Sequence, residues 1–459
     1  MGGVGRARRT DMAGGDEPVA LATGPAGDAQ DARAAAALFD GVHGADGPWR
    51  PVRPLLLPAD DHRRTADLSA RAARLVLDAA LRRARTAGEL LAALGSRPEA
   101  FPLLDHDAPL GGHLLAAIRP DILMERGTPR FVELNIDSAL GGVLQADLVP
   151  DRFLRHYRRT PLPGGPALTA PPSAVEARAG ALRSFLALPA GASVLLPHYR
   201  VGNLPGLAED PARFAAWLAP VFRSARRHGI ELFSHPLEDL TTGPDGRLRA
   251  GDRPVDGVFR SFVSHGQGAS PGLAALARAV STGAVRMFTP EATMLLTNKK
   301  TLAWLWEDLD RLPSREREFV TAHIPRTVRL EPAAGRAAPR EALTGRSGLV
   351  LKPADGFGGR GVVIGAAVSD DTWRTEVQRA AREGGHVLQE HVEPDRVRLG
   401  FVHTPSGEVT HAEVPYVLGP FLYGLRASGV LVRHGTPSAG PVLTAGAGVV
   451  MNSVLLVGA

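Results

Sequence analysis

Four glycines in six positions, Gly356, Gly358, Gly359 and Gly361, stand between two β-rich runs, Gly348–Lys352 and Gly361–Ile364. Such glycine density lets a backbone come close to a ligand and turn several N–H groups toward it. The spacing of Gly356, Gly358 and Gly361 also satisfies G-x-G-x-x-G, the dinucleotide fingerprint. That fingerprint requires a strand, the loop and then a helix. Here Val362-Val363-Ile364 follows, so the loop joins two strands and cannot open a Rossmann helix. A strand–loop–strand flap over a triphosphate fits better, with Lys352 on the entering strand reaching the phosphates.

Lysine usage points to the same region. Of 53 basic residues only Lys299, Lys300 and Lys352 are lysine. Where arginine serves everywhere else, the surviving lysines mark places that need a compact ammonium on a flexible stem, such as a tight phosphate pocket. Asn298-Lys299-Lys300 opens a helix running to Leu309. A cation at a helix N-terminus is unfavourable unless an anion lies nearby. Lys299 is assigned to that anion, and Lys300 is expected to face solvent.

A third constellation lies far upstream. Arg119-Pro120-Asp121 precedes Phe131-Val132-Glu133-Leu134-Asn135-Ile136-Asp137, with the turn Glu125-Arg126-Gly127-Thr128 between two strand-like runs. On a regular strand Glu133 and Asn135 share one face, and Phe131 shares it too. A carboxylate and an amide oxygen suit a hard cation that keeps waters and bridges phosphates. Asp121 on the neighbouring strand supplies a third oxygen. Alone, Glu-x-Asn reads better as the exposed polar face of an edge strand; combined with the two lysine motifs it does not.

The remaining chain divides by pattern. Residues 1–50 read as a disordered leader without an apolar signal region. Residues 51–160 carry N-terminal helices between Thr65 and Leu94, closed by Gly95, and then the two metal-binding strands. Pro161–Pro172 reads as a linker. In 174–290 strands alternate with helices, which implies a small α/β domain with a largely parallel sheet. Residues 298–459 form an α+β region carrying the flap. The apolar run Val442–Ala459 fits a buried strand pair better than a membrane span.

Taken together, these motifs resemble the ATP-grasp superfamily, and specifically its circularly permuted branch of glutathionylspermidine synthase-like ligases. In ordinary members the Glu-x-Asn follows the nucleotide-binding lysines; here Glu133 and Asn135 precede Lys299 and Lys352, as in the permuted branch. Glu133-Leu134-Asn135-Ile136-Asp137-Ser138-Ala139 is similar to that branch's E-x-N-x-D-[ST]-[AP] segment. The resemblance implies Asp121, Glu133 and Asn135 as Mg²⁺ ligands and Arg119 as the catalytic arginine, with Arg426 assisting. It implies ATP held by Lys299, Lys352, the loop Gly356, Gly358, Gly359 and Gly361, and the hinge Gln389-Glu390. The implied activity joins a small-molecule carboxylate, free, carrier-linked or peptidyl, to an amine through an acyl phosphate. Departures are the 53-residue separation of Lys299 and Lys352, which implies an insertion around Arg311–Gly345, and the absence of an amidase domain. The glutathione and polyamine sites are not carried over; a tailoring step in secondary metabolism is the expectation.

Other classes fit less well. The net charge of +5 is small beside 53 basic and 48 acidic groups, and no basic stripe is interleaved with aromatics, so nucleic acid is not an expected partner. The absence of cysteine removes disulfides and thiolate chemistry. Gly268-Ala269-Ser270-Pro271-Gly272 matches the nucleophile elbow, but Ser-Pro ahead of an alanine-rich run is an N-cap and N1 pair. A cytoplasmic enzyme without a membrane segment is expected, and an oligomer is compatible with the composition. The competing readings are a phosphotransferase that stops at a phosphorylated product and a catalytically inactive nucleotide-binding partner protein.

Overall fold

The computed structural model describes residues 28–42, 47–161, 167–199, 211–264, 268–331, 345–438 and 449–458. Its centre is a seven-stranded antiparallel sheet built by segments distant in sequence. The long strand Glu408–Tyr423 pairs with Arg396–His403 through its first half and with Arg426–His434 through its second. Along that second half it also pairs with Ala117–Glu125, which in turn pairs with Thr128–Ile136. The hairpin between the last two closes through Arg126 and Gly127, both at positive φ (51° and 74°). That is the two-residue turn whose twist matches antiparallel strands, at the place the sequence indicates.

One irregularity in this hairpin decides which side chains reach the site. Asp121 lies opposite Glu133, but Ile122 lies opposite Phe131, so Val132 is an extra, bulged residue. The bulge reverses the alternation. Phe131 therefore joins Leu134 and Ile136 in the core and is fully buried, rather than sharing the face of Glu133 and Asn135. Val132 takes its place on the polar face.

A smaller antiparallel sheet carries the flap, in the order Thr327–Leu330, His386–Glu390, Leu349–Pro353, Val363–Ile364. The helix Asp370–Glu383 covers it, packing Trp373, Val377 and Ala380 onto Leu330, Leu351 and Leu388. The α/β unit foreseen from the alternating pattern is present. Arg286–Phe288, Gly257–Phe259, Ala192–His198 and Ile230–Pro236 form a wholly parallel sheet, with helices Ala174–Leu186, Pro211–Arg227 and Pro271–Ser281. Ser270 caps the last of these, accepting from Leu273 N at 3.1 Å. The helices expected between Thr65 and Leu94 are Ala59–Leu81 and Ala87–Leu94, the second ending at Gly95 in the left-handed region.

Three expectations need correction. Residues 28–36 are helical, and Ala32, Ala35, Ala36 and Phe39 are buried, so the leader reading does not hold from Asp28 onward; residues 1–27 lie outside the described residues. In the apolar C-terminal run, of which residues 442–448 and 459 lie outside the described residues, the two buried strands are not paired with each other: Val450–Asn452 extends the central sheet, while Val454–Val457 runs parallel to Leu55–Pro58 in another sheet. The Pro161–Pro172 segment includes a short strand, Leu168–Thr169, with residues 162–166 outside the described residues. Much of the suggested insertion, residues 332–344, is likewise outside them. Among the described residues no helix is long and apolar enough to cross a membrane.

Candidate nucleotide and metal site

The central sheet and the flap sheet face each other across a cavity of about 220 Å³. Its floor is the polar face of the hairpin. Arg119 lies opposite Asn135 and Asp121 opposite Glu133, so the register sets these four side chains in a square. The roof is Lys352 with the turn Gly356, Gly358 and Gly359, and the far end is formed by Gln389, Glu390 and His391. Lys299 reaches in from the side. The groups near positions 130, 300 and 350 therefore converge on one cleft.

Lys299 joins floor to roof. Its Nζ donates to Glu133 Oε1 at 3.1 Å and to Gly356 O at 2.8 Å. Its backbone N–H donates to Ala354 O at 2.8 Å, which fixes the base of the flap to the start of the following helix. The anion required beside that cationic helix start is, in this geometry, the Glu133 carboxylate. Lys352 donates to Gln389 Oε1 at 2.6 Å and to Val132 O at 3.3 Å. Burial pulls the Lys352 ammonium down to about 8, an effect that the Glu133 carboxylate partly opposes. Gln389 is fixed in turn by donating to Thr327 Oγ1 at 3.0 Å. Glu390 turns outward to Arg130 at 2.9 Å and accepts from Arg326 N at 3.1 Å.

Sequence reasoning missed Arg433. It lines the same cavity and bridges Asp121 Oδ2 at 2.6 Å, while Arg119 Nε stands 3.7 Å from Asp121 Oδ1. Burial would raise the Asp121 carboxyl, but Arg433 and then Arg119 hold it below the ordinary carboxylate range. The available signal was a single arginine ending the apolar run Gly429-Val430-Leu431-Val432. Arg426 is not brought to the site. It is exposed at the hairpin tip opposite Tyr423, whereas Arg433 lies opposite Val417. That separation is roughly 20 Å along the strand.

Gly361 serves the loop rather than the cavity. Its φ is 73°, and a Cβ there would come 2.8 Å from Pro353. Lys300 is buried, contrary to its expected exposure. Its Nζ donates to Leu94 O at 2.7 Å and pairs with Glu331 at 3.2 Å. It thereby satisfies an orphan carbonyl at the end of the helix Ala87–Leu94.

The oxygens fit a hard cation that shares its shell with an anionic ligand. Asp121 Oδ1 is buried with no hydrogen-bond partner, and so are Asn135 Nδ2 and Arg119 Nε, N–H donors that suit a ligand oxygen. Two carboxylates and an amide leave several positions for water and phosphate oxygens, which is how Mg²⁺ is usually held. Among the described residues no group of three or more His, Cys, Asp or Glu side chains could hold a metal unaided.

No family model matches the chain. No curated protein matches it. Among solved structures it is similar to a glutathione synthetase-like effector from Globodera pallida. The two are 13% identical with a TM-score of 0.58, over 95% of this chain and 98% of that one. A candidate gamma-glutamylcysteine synthetase from Methylobacillus flagellatus is 12% identical, over 72% of this chain and 77% of that one. Its TM-score of 0.41 carries no weight here. The first likeness shows the fold alone: a mixed α/β architecture like that of the glutathione synthetase-like effector.

Proposed function

We propose that the chain is an ATP-dependent ligase of a circularly permuted ATP-grasp type, joining a carboxylate to an amine through an acyl phosphate. The observation that carries this reading is the convergence of Asp121, Glu133 and Asn135 with Lys299 and Lys352 beneath a glycine flap. The glutathione synthetase-like fold supports it, because that neighbour's name belongs to an amide-forming class.

In this reading Lys352 and Lys299 hold the nucleotide phosphates. Lys299 exchanges Glu133 for a phosphate oxygen when nucleotide enters, which frees Glu133 for a cation. Asp121, Glu133 and Asn135 would hold Mg²⁺, which when bound supplies positive charge to the β- and γ-phosphate oxygens. The substrate carboxylate attacks the γ-phosphorus, the bond to the bridging oxygen breaks and ADP leaves. Amine attack on the acyl carbon then expels phosphate, with loss of one proton from nitrogen. Arg119 and Arg433 lie on the floor where negative charge gathers in both steps, and their contribution is positioning and charge stabilisation.

The test is ADP release by the purified protein with Mg²⁺, ATP and a panel of acids and amines, with hydroxylamine as a trap. Amine-dependent turnover and hydroxamate formation from the acid are expected. Turnover that ignores every amine and yields a phosphorylated product would establish a phosphotransferase. Nucleotide binding without any turnover would leave a binding partner.

A further inference from the structure

Within the turn 356–361, Arg360 is the charged residue, set between Gly359 and Gly361 at positive φ (72° and 73°). It lines the same cavity as Lys299, Lys352 and Arg433. Among the described residues its guanidinium engages no carboxylate or carbonyl. The floor cations differ in this respect, since Arg433 is paired with Asp121 and Lys299 with Glu133.

The flap's register fixes which end of the cavity this arginine covers. Val350 lies opposite both Ile364 and Gln389, so the paired part of the flap stands at the hinge end. The turn lies beyond it, and there Gly356 O accepts from Lys299 Nζ, which also bonds Glu133. Arg360 is held across this turn from Phe357, its N–H donating to Phe357 O at 3.4 Å. The glycine turn is thus the roof over the metal strands, opposite the hinge. A triphosphate running from hinge to metal strands has its last phosphate beneath that turn.

We propose that Arg360 is a catalytic residue that contacts the γ-phosphoryl group. This rests on the ATP-ligase reading above. A guanidinium presents a planar fork that spans two non-bridging phosphate oxygens, which an ammonium cannot do. The flanking glycines let the backbone bend so that the fork descends from the roof, while Lys299 and the cation ligands act from below. The α- and β-phosphates fall to Lys352 and Lys299, so Arg360 distinguishes ATP from ADP.

Binding of ADP and of a β,γ-non-hydrolysable ATP analogue is measured by calorimetry in Mg²⁺ for the full-length protein, Arg360→Ala and Arg360→Lys. Thermal unfolding checks that each variant is folded. Arg360→Ala should keep the wild-type affinity for ADP and bind the analogue about ten- to a hundredfold more weakly. Arg360→Lys should recover only part of that loss. An analogue affinity unchanged by Arg360→Ala, or equal weakening toward both nucleotides, overturns the Arg360 assignment alone. A wild-type protein that binds neither nucleotide overturns the ATP reading together with it.

Discussion

Arg260 is fully buried and forms an ion pair with Asp137, which lies two residues beyond Asn135. The guanidinium also donates to Thr289 O at 2.9 Å and Phe262 O at 3.2 Å, so the pair ties the end of the strand Thr128–Ile136 to the C-terminal edge of the parallel sheet. Asp137 has further donors in Ala139 N at 2.6 Å and Thr293 Oγ1 at 3.2 Å. Asp137→Asn keeps the shape but leaves the guanidinium with neutral hydrogen-bond partners, the Glu291 carboxylate acting on it only through space. Arginine cannot lose its proton, so the full cost of an unpaired buried charge applies, about 3–5 kcal/mol. Arg260→Met leaves a carboxylate that retains two donors, Ala139 N and Thr293 Oγ1. Its cost should be smaller, about 1–3 kcal/mol. The double variant removes both charges and should recover most of the Asp137→Asn loss, a clear departure from additivity. Urea unfolding followed by circular dichroism at pH 8 measures all three. Asp137→Asn costing no more than Arg260→Met, or strict additivity in the double variant, would refute this ordering.

Steady-state kinetics should separate the two arginines assigned from sequence. Arg119→Ala should lower turnover more than it weakens ATP binding, and equal losses in both would count against its assigned role. Arg426→Ala, at an exposed hairpin tip, should leave both within about twofold. Burial, partly offset by the Ser264 hydroxyl, pushes the Glu291 carboxyl up from 4.5 to about 7. Between those values the folded protein binds a proton that the unfolded chain does not, so stability should fall as pH rises through that window. Glu291→Gln should flatten this segment of the stability–pH profile; an unaltered slope in the variant would show that another group causes it.

Period and punctuation carried much of the fold. The helices Ala174–Leu186 and Pro271–Ser281, the four parallel strands and the Arg126-Gly127 turn follow from local pattern, because each is set by residues within one or two turns of itself. The two lysines were legible for a different reason: a lysine-poor chain has little other cause to place an ammonium in that setting. The glycine turn was legible by its density, and the acid–amide pair only in combination with the lysines.

Whatever depends on the register of one segment against another was not legible. The Val132 bulge, which sends Phe131 to the core, arises from register against Ala117–Glu125, and a strand read alone shows only its period of two. Arg433 was overlooked and Arg426 named on the same ground, since both lie on one strand and only its pairing partner says which end meets Asp121. Lys300 was misread because the carbonyl it satisfies is 206 residues away. The sequence by itself determined which chemical groups the chain brings and which secondary structures carry them. The tertiary structure alone decided which of those groups share one cleft, because a side chain's direction is local whereas its neighbours are set by how remote strands align.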